Sequence, residues 1–222
     1  MGNLEEILET IRTHLEDKDA ARELALVGSR KVIRLCAEAT REMHREEWPQ
    51  AEKQLGDSRQ VLSEIEARLQ QHQDVLHTGF VQDAQKEYAE ARLALAVIRG
   101  QPIPGPAELG VPEAPYLNGM AEAIGEIRRR IIDLLRDGKV DNCVGLLETM
   151  SDFYAAIVTF DYPDAVLMGL RRRTDIARSL IEKTRHDLTT AIRQEKLEAS
   201  LRRLESVLAQ SAEPQPRLGK EV

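Results

Sequence analysis

Apolar positions recur every three or four residues along most of the chain, and no stretch shows the two-residue alternation of a strand. Leu4, Ile7, Leu8, Ile11 and Leu15 predict a short first helix, capped by Asn3 with Glu6 three residues later. The charged run EDKDA is read as its end. A long second helix follows from about residue 20 to 48, with Leu24, Val27, Lys31, Leu35, Ala39 and Met43 along part of one face. Pro49 suits the first turn of a third helix, whose buried stripe is Leu55, Leu62, Ile65 and Leu69. After a joint at 72–79, a fourth helix runs from about 80 to 99 and stops at Gly100.

Residues 101–115 carry five prolines and two glycines, which exclude a continuous helix or central strand. Helices are predicted again at about 116–136, 139–159 and 163 to at least 192, with continuation to 210 left open by Leu197, Leu201, Leu204 and Leu208 near a 3.5-residue repeat. The fold class is therefore all-α, a seven-helix bundle. Residues 1–210 are read as a single helical domain with the proline-rich loop inside it, and 211–222 as a disordered tail.

Composition agrees with helix. Of 222 residues, 42% are hydrophobic, 31% charged and only 4% aromatic. The formal charge of −7 excludes a uniformly basic surface but leaves room for local stripes, and the arginines do cluster, at Arg128-Arg129-Arg130 and Arg171-Arg172-Arg173. The two cysteines, Cys36 and Cys143, have no metal-ligand spacing and are read as buried thiols of a reducing compartment. No apolar run reaches the length of a membrane span, and the acidic N-terminus lacks the pattern of a signal peptide, so the expected location is cytoplasmic.

The chemistry lies in two acidic pairs. Glu87 and Glu90 occur in QKEYAEA, Glu122 and Glu126 in MAEAIGE; each pair presents two carboxylates from one helical face inside an apolar pattern. Four carboxylates on packed helices repel one another unless protons, basic groups or divalent cations compensate them. Oxygen-only ligands suit Mg²⁺ or Mn²⁺ better than Zn²⁺. The ordinary alternative is a pair of solvated surface acids; Ala89, Leu93, Ala123 and Ile124 beside them favour a position near the core. Neither pair has the Glu-x-x-His of a di-iron bundle. Lys86 and the arginines Arg128, Arg129, Arg171, Arg172 and Arg173 are candidates for nucleic-acid phosphates or for structural ion pairs. The histidines show no metal spacing, and His72 and His77 are assigned to the helix joint. Tyr88 is the one aromatic expected beside the acids.

Residues 116–126, with the YLNG start and the GE ending, resemble the central helix of the translin superfamily. So do KDAARELALVGSRKVIRLCAEATREM, LRRRTDIARSLIEKTR and the succession of helices, over about residues 15–192. The carboxylates in EYAE and EAIGE resemble the catalytic branch, translin-associated factor X, although Glu122 stands where that branch usually has Asp. The resemblance implies a translin-type bundle assembled into a hollow homo-oligomer, an octamer, with Mg²⁺-dependent endoribonuclease activity on single-stranded RNA or unpaired RNA segments. DNA remains an open substrate. Glu87, Glu90 and Glu122 are then the expected ligands or water-mediated ligands, and Glu126 a fourth ligand or the base that takes the proton of water. The alternative within the same family is a non-catalytic RNA- or DNA-binding oligomer in which the acids only balance the arginines.

Overall fold

The computed structural model describes residues 2–211, and all regular structure among them is helical. The elements are α1 (Gly2–His44), α2 (Trp48–Arg68), the single turn α3 (Gln73–Leu76), α4 (Gly79–Ile98), the single turn α5 (Pro106–Leu109), α6 (Glu113–Arg136), a 3₁₀ turn (Val140–Asn142), α7 (Cys143–Ile157), α8 (Asp164–Leu167) and α9 (Leu170–Ser211). Residues 212–222, most of the expected tail, lie outside the described residues.

Helix α1 packs on α2 and α4, α4 on α6, and α6 on α7 and α9, so α4 and α6 form the middle of the bundle. One continuous core unites them. Ile124, Ile127 and Ile131 of α6 are fully buried at helical spacing, facing a core that includes Leu93 and Leu95 of α4, Met150 of α7 and Ala177 of α9. Each such side chain contributes roughly 1.5–3 kcal/mol by leaving water. That apolar drive holds the acidic residues of α4 and α6 close together.

Several boundaries differ from the periodicity reading. The expected break at EDKDA is absent, and α1 is one helix of 43 residues with Asn3 inside it rather than capping it. Charged residues are tolerable helix formers, and here they make anchors: Asp17 accepts from Arg68 at 2.5 Å and pairs with His72 at 2.8 Å, while Lys18 pairs with Asp74. The buried face of α1 runs through Ala21, Ala25, Val32, Cys36, Ala39 and Met43, leaving Leu24 and Val27 exposed. Within the proline-rich loop α5 forms one turn, and α6 starts at Glu113 with Pro115 in its first turn, where a missing N–H costs nothing. The helix expected at 139–159 opens as a 3₁₀ turn. The helix expected from 163 onward is interrupted by Met168 and Gly169, both in the left-handed region (φ 56° and 83°), so α8 and α9 are separate.

Candidate metal centre

The YLNG segment explains how the acidic pairs meet. Tyr116 is buried and its hydroxyl donates to the Pro104 carbonyl at 3.0 Å, tying the proline-rich loop to α6. Asn118 donates through Nδ2 to the carbonyls of Leu167 and Ala114, each at 2.7 Å, which fixes α8 against α6. Gly119 faces α4 so closely that a Cβ built on it stands 2.8 Å from both the Glu90 nitrogen and the Lys86 carbonyl oxygen. A side chain there would collide with backbone, so glycine sets the α4–α6 approach.

Carboxylate oxygens of Glu87, Glu90 and Glu122 consequently lie within 4.8 Å of one another. Lys86 sits among them, its Nζ 2.5 Å from Glu122 Oε2 and 3.0 Å from Glu87 Oε1. Arg173 Nε donates to the other oxygen of Glu122, Oε1, at 2.6 Å, and its Nη1 donates to the Met168 carbonyl at 3.0 Å. The left-handed break before α9 thus supplies the acceptor that aims Arg173 at the acids.

The environments drive the carboxyls apart. Burial, then the charges of Glu87, Glu122 and Glu126, push Glu90 up to about 9. Burial also opposes ionisation of Glu122, but hydrogen bonds from Lys86 and Arg173 outweigh it and hold that carboxyl below its usual range. Lys86 is likewise disfavoured as a cation by burial, yet Glu122 and Glu87 more than compensate and raise it.

Glu126 stands outside the three-carboxylate group. Its Oε2 is 2.6 Å from Nε2 of His44, a side chain only 5% exposed whose Nδ1 lies 4.0 Å from Asp133 Oδ2. With Glu87, Glu90 and Arg129, Glu126 lines a cavity of about 360 Å³ closed on the α1 side by Cys36, Ala37, Thr40 and Arg41. Burial first of all pushes the Cys36 thiol up to about 12, which makes it a neutral wall rather than a ligand. Both cysteines are free and buried.

The donor set fits a hard divalent cation. Ligand distances near 2.1 Å put opposite oxygens at most about 4.2 Å apart around Mg²⁺. The oxygens of Glu87, Glu90 and Glu122, within 4.8 Å of one another, would need to close by less than about 1 Å to meet that span. A cationic group, the Lys86 ammonium, already bridges two of the three acids.

The other basic residues are distributed. Arg128 donates to Thr184 at 2.7 Å and to Asp187 at 2.9 Å, clamping α6 to α9. Arg130 pairs with Glu46 at 2.6 Å. Arg129 reaches the cavity, whereas Arg171 and Arg172 are exposed on α9, with Arg171 3.4 Å from Asp161. Tyr88 is a core residue, 5% exposed, and His72 is buried against Asp17. His44 and Arg41 escaped the sequence reading. Their signal was faint: Ala37, Thr40, Arg41 and His44 share one face of α1, beside the buried Cys36, Ala39 and Met43.

No family model matches the chain. An uncharacterized protein of Methanocaldococcus jannaschii is 30% identical over 203 residues, covering 89% of this chain and 88% of its own. Among solved structures, AfC3PO aligns with a TM-score of 0.77 and 30% identity, covering 83% of this chain and 96% of that one. A second AfC3PO structure, a complex with duplex RNA, aligns with a TM-score of 0.75 and 30% identity over 83% and 95% of the two chains. Apo-NeC3PO, at 21% identity and a TM-score of 0.75, shares the fold over 83% of this chain and 96% of its own. In sequence, in bundle architecture and in the C3PO structures it matches, this chain belongs to the translin superfamily.

Proposed function

We propose that the protein is a divalent-metal-dependent endoribonuclease of the translin-associated factor X type, cleaving single-stranded RNA or unpaired RNA segments within a homo-oligomeric shell. The observation that carries this reading is the convergence of Glu87, Glu90 and Glu122, from two helices, within 4.8 Å. The duplex-RNA complex of a structure 30% identical to this chain supports RNA as the polymer.

Glu87, Glu90 and Glu122 would hold Mg²⁺, with Mn²⁺ as a substitute. The bound ion supplies a Lewis acid that lowers the pKa of water and offsets charge growing on phosphorus. Glu126 lines the same cavity and stands ready to accept the proton of the attacking water, oriented by its hydrogen bond to His44. Arg129 and Arg41, at the cavity wall, are placed to meet the phosphates of the strand. Arg171 and Arg172, exposed on α9, are further candidates for RNA contact.

Purified protein should cut a labelled single-stranded RNA in Mg²⁺ and stop in EDTA. Glu90→Gln and Glu122→Gln should each lower the rate by at least about a hundredfold, given the share of the barrier such groups supply. Full activity in both variants, with folding intact, would remove the catalytic assignment.

One observation favours a second reading, a non-catalytic RNA-binding oligomer. Lys86 and Arg173 already neutralise much of the acidic cluster. That protein would retain RNA with a steep salt dependence and no need for metal. The cleavage assay, run beside filter binding with and without Mg²⁺, separates the two.

A further inference from the structure

Lys86 joins the acidic residues of α4 to those of α6. Its side chain is only 12% exposed, and its ammonium bridges acids from two helices, Glu87 on α4 and Glu122 on α6. Its backbone is fixed, because its carbonyl lies against Gly119. The two oxygens it engages, Glu87 Oε1 and Glu122 Oε2, belong to two of the three carboxylates that converge. An oxygen directed at an ammonium cannot at the same time give its full charge to a metal ion. Arg173 differs, since it takes only Glu122 Oε1 and orients that carboxylate without covering Oε2.

We propose that Lys86 is the built-in counter-ion of the three-carboxylate cluster and must withdraw from Glu87 and Glu122 before a divalent cation binds, so that this one side chain sets the metal affinity of the site. The inference rests on the metal-site reading above. The four-carbon stem of lysine permits the movement, and a nucleic-acid phosphate entering the neighbouring cavity, which Glu87 helps to line, would offer the ammonium a replacement for its lost partners.

The test is calorimetric titration of the full chain with Mn²⁺ alone, comparing wild type with Lys86→Met, which keeps the stem and removes the charge. Breaking charge-assisted hydrogen bonds is the cost that binding carries in the wild type, so its removal should tighten Mn²⁺ by about ten- to a hundredfold. Arg129→Met, which removes a charge from the same cavity without freeing those two oxygens, should change affinity less than about threefold. In thermal melts without metal Lys86→Met should unfold earlier than wild type, and saturating Mn²⁺ should close the gap. Lys86→Gln repeats the measurement should the Met variant not fold. Equal or weaker Mn²⁺ binding in the Lys86 variants, or equal tightening in Arg129→Met, would overturn the role of Lys86 while leaving the metal site standing. Absence of Mn²⁺ binding in every protein would overturn the site itself.

Discussion

Glu90 is the side chain on which the electrostatics of the centre turn. Its carboxyl is pushed up to about 9 by burial and by its acidic neighbours, against the 4.5 of an ordinary glutamate. Between those two values the folded state holds a proton that the unfolded chain has lost, so metal-free stability falls as pH rises through that window. Glu90→Gln keeps the shape without the titration, and in EDTA at pH 8 it should be more stable than wild type by roughly 2–4 kcal/mol. Differential scanning calorimetry at pH 5 and pH 8 checks this: the gain should shrink at the lower pH. Since a metal must displace the same proton, Mn²⁺ affinity of the wild type should increase from pH 6 to pH 9, and a flat profile would contradict the assignment. All four acids were legible in the sequence, because carboxylates at helical spacing inside an apolar pattern demand compensation. The partner of Glu126 was not. That Glu126 leaves the cluster for His44 depends on a residue 82 positions away on α1, which no local spacing reveals.

At the scale of elements, the decisive feature is the contact between α4 and α6. Three glycines make a graded test. At Gly119 a new Cβ meets backbone atoms at 2.8 Å, which cannot turn aside. Gly119→Ala should therefore cost more than the ~1 kcal/mol that alanine gains in helix propensity, a net loss of about 1–3 kcal/mol, and should weaken Mn²⁺ binding as the helices part. At Gly28 the clash is with the tip of the Ile65 side chain, so Gly28→Ala should be milder. At Gly56 nothing lies within 4 Å, and Gly56→Ala should stabilise by up to about 1 kcal/mol. Chemical denaturation of the three variants checks the order. The helical periodicity exposed most of these elements, and Pro49, Gly100 and the 101–115 loop marked real boundaries. It failed at EDKDA, where charges taken for an interruption form long-range ion pairs, and at Met168-Gly169, where one glycine inside a helical pattern is a weak signal. The second miss mattered, since the Met168 carbonyl aims Arg173 at Glu122.

At the scale of the whole molecule, two apolar stripes are exposed among the described residues. Leu4, Ile7, Leu8, Ile11 and Leu15 at the start of α1 are each about half exposed or more, as are Leu197, Leu201, Leu204, Val207 and Leu208 near the end of α9. Such stripes on long helices are the surfaces through which a homo-oligomer would assemble. Leu201→Ser combined with Leu204→Ser should lower the assembly mass in light scattering while leaving circular dichroism unchanged; an unaltered mass would exclude the α9 stripe from assembly. No helix among the described residues is long and apolar enough to cross a membrane. The central claim remains that the middle of the bundle holds a hard cation beside a proton acceptor, and anomalous diffraction from crystals soaked in Mn²⁺ addresses it most directly. A Mn²⁺ peak bonded to Glu87, Glu90 and Glu122, with the Lys86 ammonium moved off, is the expected result; density without a peak there at saturating Mn²⁺, the ammonium still seated between Glu87 and Glu122, would contradict it.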